Sequence, residues 1–318
     1  MNSRTAIWVF AAFIVGFAMP FAGCAALVVA AGIALGQLAA GAAPADAGGF
    51  GPGVAVIEVE GPIVSGSTGV FVTGIAASDD VIADIRRATD DRDAKAIVLK
   101  VNSPGGGVVA SDEIYHALTG TGKPVVVAMG DLAASGGYYI SMAADWIVAN
   151  PNTLTGSIGV ISEFPNAEKL LDNVGIEFVT IQSGPAKDSG SLYRAMTEAE
   201  RERWQALVDE VYDGFVRVVV DGRGMDEAEV RELADGSVYT GRQALELGLV
   251  DALGYEEDAI AKAAELGGIS GTPRLIRYQR QPNFFDLVNG AASNRGSLPT
   301  VQEVSDWLGW PNVQFRYR

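Results

Sequence analysis

Two residue types that catalysis often uses are almost missing from this chain of 318 residues. It has one cysteine, Cys24, which excludes an internal disulfide and any cysteine-based metal site. It has one histidine, His116, which leaves no histidine cluster for a metal and one candidate for a Ser-His pair. Basic residues are scarce as well. The 23 Lys and Arg against 39 Asp and Glu give a formal net charge of -16, which argues against a nucleic-acid partner. That acidity is not the charge block of a disordered tail, because 48% of the residues are hydrophobic. Charge of either sign is absent between Arg4 and Asp46.

The uncharged stretch is rich in Ala, Val, Ile, Leu and Phe. A bilayer span needs about 20 apolar residues, so the stretch is long enough. It is too long for the roughly 7–15-residue apolar core of a cleaved signal peptide. A hairpin turning at Pro20–Gly23 leaves a first arm, Ala6–Met19, that is short for a span. The expectation is therefore one membrane anchor and a small-residue spacer, together residues 1–53. Arg4 marks the cytoplasmic side and the next basic residue is Arg86, so the body is expected to face outward. Phe21-Ala22-Gly23-Cys24 faintly resembles a lipoprotein cleavage box, but the apolar run continues through Leu35, which favours an ordinary membrane cysteine.

After the spacer, apolar runs alternate with helical patterns. Val54–Glu60, Ala96–Val101, Pro124–Met129, Trp146–Ala149 and Glu177–Gln182 read as strands. Helices are expected at Asp79–Thr89 with Ser78 as cap, at Ser111–Leu118 and at Ile140–Ala144. Thr197-Glu198-Ala199-Glu200 is a capping box that opens a helix with the stripe Trp204, Leu207, Val208, Val211, Tyr212 and Phe215. Shorter helices follow at Asp226–Leu233 and Arg242–Leu247. The alternation predicts an α/β domain with a mainly parallel sheet over residues 54–278. From Gln279 the composition shifts to scattered aromatics among polar, Pro and Gly positions, and 279–318 reads as a loose or docking tail.

Ser135 stands where a strand turns into a helix, in Gly130-Asp131-Leu132-Ala133-Ala134-Ser135-Gly136-Gly137-Tyr138-Tyr139. That junction lifts a hydroxyl clear of the sheet and sets it beside helix N-terminal amides, which favour developing negative charge. Gly136 and Gly137 leave room for a substrate carbonyl to approach the backbone. Taken alone, the stretch also reads as a Gly-rich turn with an N-cap serine. A serine needs a base to take its proton. His116 lies on the Ser111–Leu118 helix, with no motif to bring it near Ser135. Lys187 is the better candidate, in the Gly/Pro/Ser-rich loop Ser183–Gly190. A general-base lysine must be neutral, and burial is what favours that form. Asp188 opposes it if the two side chains meet, although neighbours in extended backbone point to opposite faces. Taken alone, Lys187 reads as an exposed loop lysine.

The combination changes that reading. Asn102-Ser103-Pro104-Gly105-Gly106-Gly107, the Ser135 stretch, Thr155-Gly156-Ser157-Ile158-Gly159, and Lys187-Asp188-Ser189-Gly190-Ser191 with Met196-Thr197-Glu198 occur in this order. Together they closely resemble the signal peptide peptidase A (protease IV) family of serine peptidases, from about Val54 to Leu266. The resemblance implies the fold shared with the Clp protease proteolytic subunit and the crotonases. It implies Ser135 as nucleophile, Lys187 as general base, and Ser157 as the serine that orients the lysine. It also implies Gly105, Gly106 and Gly136 as oxyanion-binding backbone, with no metal or cofactor. The family's long form carries two copies of the α/β unit and divides the dyad between them. This chain carries one, which implies a homo-oligomeric ring with a shared site.

Three functions compete at this point. The first is a membrane-anchored endopeptidase acting on cleaved signal peptides and other membrane-associated peptides. The second is a crotonase-like acyl-CoA enzyme, whose oxyanion backbone reads similarly but which needs no anchor. The third is a catalytically silent membrane scaffold, disfavoured because Ser135 and Lys187 are both present.

Overall fold

The central strands carry apolar side chains on both of their faces, and burying both faces needs a layer of helices on each side. The computed structural model describes residues 51–68 and 73–278, together with the backbone of 314–316. In chain order the first elements are β1 (Gly53–Glu60), β2 (Ile63–Val64), β3 (Ala76–Ala77), α1 (Ser78–Asp90), β4 (Ala94–Ser103) and β5 (Gly105–Gly107). Next come α2 (Val108–Thr119), β6 (Val125–Ala134), α3 (Gly136–Ser141), β7 (Trp146–Ala149), β8 (Leu154–Gly156) and α4 (Glu168–Val174). Then follow α5 (Glu198–Arg223), α6 (Glu227–Leu233), β9 (Val238–Thr240), α7 (Gly241–Glu246), β10 (Ala252–Leu253), α8 (Glu256–Leu266), β11 (Arg274–Ile276) and β12 (Gln314–Arg316).

The main sheet runs β10-β7-β6-β4-β1-β11, with every pair parallel. The two sides of each central strand feed two different cores. Ala55, Ile57, Val59, Leu99, Val101, Val127 and Met129 join one core, with α1, α2, α3 and α5 over it. Val54, Val56, Ala96, Val98, Val126 and Ala128 face the other, closed by Ala259, Ala263 and Ala264 of α8. This is the mixed, mainly parallel α/β domain that the strand–helix alternation predicts.

β6 is the strand that builds the site, and it is longer than its apolar run. It pairs β7 over Val126–Met129 and then β8 over Leu132–Ala134. Its register to β4 slips between Val101↔Met129 and Ser103↔Ala133. Side chains from other segments satisfy the interrupted ladder: the Leu132 amide donates to Asn102 Oδ1 (3.2 Å), and Thr153 Oγ1 donates to the Gly130 carbonyl (2.6 Å). The strand therefore runs straight into Ser135.

Several local expectations need correction. Ser78 is the first helical residue of α1 and not its cap, because its hydroxyl donates to Glu113 Oε2 (3.1 Å) instead. The helix after Ser135 starts at Gly136, earlier than its apolar part at Ile140. The stretch after Val101, for which the sequence predicts no element, finishes β4 at Ser103 and then forms Gly105–Gly107, a strand of a second sheet, β12-β5-β2-β3. Glu177–Gln182 is not a strand. No neighbouring strand pairs with it among the described residues, and Val179 and Ile181 are 81% and 96% exposed. The expected anchor and all of the tail except 314–316 lie outside the described residues. Among the described residues no helix is long and apolar enough to cross a membrane.

Candidate active site

Ser135 follows the last residue of β6 and precedes the first residue of α3. Its backbone makes that change of direction at φ 55°, ψ -119°, a conformation that non-glycine residues rarely adopt. Two hydrogen bonds hold it there. The Ser135 amide donates to the Gly156 carbonyl (2.8 Å), and the Ser135 carbonyl accepts from the Tyr139 amide (2.8 Å). The side chain is fully buried, and among the described residues Ser135 Oγ has no hydrogen-bond partner. A buried hydroxyl without a partner forfeits roughly 1–3 kcal/mol. Strain and an orphaned hydroxyl at one residue are what a reactive site would retain and a structural turn would shed.

The helix behind the elbow is clamped. Tyr138 Oη donates to the Leu249 carbonyl (2.9 Å), and Tyr139 Oη donates to Asp112 Oδ1 (2.8 Å). Burial and the Asp112 carboxylate raise the Tyr139 phenol, which keeps it protonated as a donor. The Tyr139 ring meets Phe215 edge-on, with centroids 5.1 Å apart. Nothing in the spacing of Tyr138 and Tyr139 announces these clamps beyond their place after Gly137.

The three glycines come together beside Ser135. A Cβ on Gly136 would lie 2.6 Å from Ser111 Oγ, 3.1 Å from Gly105 Cα and 3.1 Å from Gly106 N. A Cβ on Gly106 would collide with the Ile63 carbonyl of β2. Only glycine fits this approach of three backbones. The Gly105 amide donates to Ser103 Oγ (3.1 Å), and Ser111 Oγ donates to the Gly107 carbonyl (2.9 Å), which fastens the Gly-rich strand to α2.

Ser157 is likewise buried and left-handed, at φ 49°, and its amide donates to the Ser237 carbonyl (2.7 Å). β8 is parallel to the end of β6, with Ala134 opposite Gly156, so Ser157 and Ser135 emerge side by side.

Lys187 does not join this group within the described chain. It lies in an exposed turn, its amide donating to the Gly184 carbonyl (3.1 Å), and no hydrogen bond links it to Ser135. His116 is also elsewhere. It lines a 780 Å³ groove between α1 and α2, with Asp79, Arg86 and Glu113. Among the described residues no group of three or more His, Cys, Asp or Glu is placed to hold a metal ion.

A strained serine on a Clp-protease-like α/β domain, beside a glycine cradle, defines a serine-peptidase class of protein, and the comparisons agree. The family model for Clp protease matches residues 71–154, which include the glycine strand and Ser135. The model for peptidase family S49 matches residues 117–270, which include Ser135, Ser157 and Lys187. A putative protease of Synechocystis sp. is 43% identical over 262 residues, 81% of this chain and 90% of that protein. A putative signal peptide peptidase SppA of Enterococcus faecium is 39% identical over 80% of this chain and 72% of its own length. Protease 4 of Salmonella typhi is 40% identical over 80% of this chain, but the match spans only 41% of that longer protein. The chain belongs to peptidase family S49, the Protease 4/SppA-like serine peptidases.

Proposed function

We propose that the chain is an endopeptidase in which Ser135 is the nucleophile and Lys187 the general base. The observation that carries the first assignment is the buried, unpartnered Ser135 hydroxyl on a strained elbow. In this mechanism a neutral Lys187 takes the Ser135 proton as Oγ bonds to the substrate carbonyl carbon. The proton passes to the departing amine, and water then releases the acyl group. Ser157 orients the lysine. The backbone of Gly105, Gly106 and Gly136 faces the oxyanion, where each well-aimed donor contributes about 2.7–4 kcal/mol. The side of Gly105–Gly107 away from β2 pairs antiparallel with Gln314–Arg316, the arrangement by which an extended peptide adds to a sheet, and this supports a peptide ligand.

The dyad lies between chains in this reading. Among the described residues Ser135 Oγ has no hydrogen-bond partner, and Lys187 is exposed on its own turn. A closed ring of identical chains brings one subunit's Lys187 to the next subunit's Ser135 through a heterologous interface. Ser135→Ala and Lys187→Ala, each inactive alone, are co-expressed with different tags. Recovery of peptide hydrolysis in mixed assemblies supports the shared site. A silent mixture, with both tags co-purifying, rejects it.

Residues 1–53 are taken as the membrane anchor and spacer, 54–278 as the extracytoplasmic peptidase domain, and cleaved signal peptides as substrates. The uncharged stretch between Arg4 and Asp46 supports the anchor, and the name of the Enterococcus relative supports the substrate class. A reporter active only outside the cytoplasm, fused after Arg318, is expected to be active. Activity there of a cytoplasm-only reporter would overturn the orientation.

A further inference from the structure

We propose that Arg194 is a positioning residue for Lys187, holding the lysine turn on the start of α5 and keeping the Asp188 carboxylate away from the lysine. The inference rests on the Ser135–Lys187 reading above. Lys187 and Asp188 are neighbours in a turn, not in extended backbone, so alternation does not separate their side chains. Something else must do so. In the structure Asp188 is turned to Arg194: Nε donates to Oδ2 at 2.8 Å and Nη2 to Oδ1 at 2.9 Å. With its amide oriented to donate, Gln182 adds a bond of 2.7 Å to Asp188 Oδ1. The guanidinium also serves Glu200, where Nη1 donates to Oε2 at 2.9 Å and Nη2 to Oε1, and Nη1 donates to the Ala195 carbonyl at 3.0 Å.

Glu200 makes this a built device. Its side chain is 3% exposed, and its Oε2 also accepts from the Thr197 amide (2.9 Å) in the capping box of α5. One guanidinium thus ties the residue after Lys187 to the first turn of a 26-residue helix. Trp204 Nε1, donating to Ser189 Oγ (3.0 Å), fixes the same turn from further along α5. The charged groups facing Asp188 are Arg194, from the loop, and Glu200, from α5. Arginine suits the position because its planar fork serves two carboxylates at once, which an ammonium cannot do. Arg194 pulls the Asp188 carboxyl below the usual carboxylate range, and a released Asp188, as an ordinary carboxylate, is still ionised at neutral pH and able to pair with Lys187. A carboxylate beside an ammonium favours the charged form, which cannot accept a proton.

The test is the pH profile of kcat/KM on a chromogenic peptide, with the full chain. In Arg194→Gln the acid limb should move to higher pH by about 1–3, the effect of an opposite charge within contact range. Adding Asp188→Asn to Arg194→Gln should return the limb to its wild-type position. Asp188→Asn alone should not raise it. Should Arg194→Gln fail to fold, Arg194→Lys, which keeps the charge without the fork, carries the same comparison. Lower kcat with an unmoved limb, or a double variant that stays shifted, overturns the proposal. Lys187→Ala is run beside them. Wild-type hydrolysis by that variant removes the dyad and this inference together, whereas an inactive Lys187→Ala with an unmoved limb removes the role of Arg194 only.

Discussion

Ser135 and Ser157 each stand one residue beyond the last paired residues of two parallel strands, and both have positive φ, 55° and 49°. The β6·β8 ladder ends at Ala134↔Gly156, and the Ser135 amide donates across it to the Gly156 carbonyl. The two serines thus stand at the carboxyl ends of neighbouring parallel strands, each at a backbone cost of about 1–3 kcal/mol.

If that strain is retained for chemistry, removing the side chain should stabilise the fold. Ser135→Gly is expected to be inactive on peptides yet about 1 kcal/mol more stable than Ser135→Ala, because glycine's greater freedom in the unfolded chain offsets part of the relief. Urea unfolding of the two variants checks this. Equal or lower stability of the glycine variant would mean that the elbow is not strained.

The clamp on α3 makes Phe215 a second control point. Phe215 is fully buried on α5 and wedged edge-on against Tyr139, whose hydroxyl bonds Asp112. Phe215→Ala should cost about 3–5 kcal/mol, as large-to-small changes at sealed sites do. Measured by urea unfolding in a Ser135→Ala background, a loss below about 1 kcal/mol would show that the helix does not brace the elbow.

The sequence announced what depends on runs of apolar residues and missed what depends on distant partners. Ala96–Val101 and Pro124–Met129 read as buried strands because both of their faces are apolar; the first lies within β4, and the second overlaps β6, which starts at Val125. The continuation of β6 through Gly130-Asp131-Leu132 was not legible, because Asn102 and Thr153, far along the chain, repair its ladder. Glu177–Gln182 has strand-like composition, but a strand requires a neighbour and the described chain supplies none. The candidate nucleophile was readable from a serine after a strand, followed by two glycines. Its backbone strain was not. Asp188, Arg194 and Glu200 are six residues apart in turn, a spacing that no helical face shares. Only the Thr197–Glu200 capping box hinted that Glu200 had a task.

The Arg194 fork also predicts how the lysine turn responds to acid. Glu200 is lowered from 4.5 to about 2, chiefly by its hydrogen bond with Arg194 and then by the Thr197 amide. A carboxyl lowered by folding contributes stability that is complete above its unfolded value and lost as pH falls through its folded value. Stability from this group should therefore fade between about pH 4.5 and about pH 2. In a Ser135→Ala background, Glu200→Gln should be less stable than its parent at neutral pH. The two should converge toward the bottom of that window. A gap that persists unchanged there would mean that Glu200 contributes by packing and not by charge.

The central claim is that Ser135 is the nucleophile, and covalent labelling tests it most directly. The purified protein is treated with a fluorophosphonate, digested, and the phosphonylated residue located by mass spectrometry. A single adduct on Ser135, absent from Ser135→Ala and from Lys187→Arg, is the expected result, since arginine stays protonated and cannot activate the hydroxyl. An adduct on a different serine, or undiminished peptide hydrolysis by folded Ser135→Ala, would contradict it.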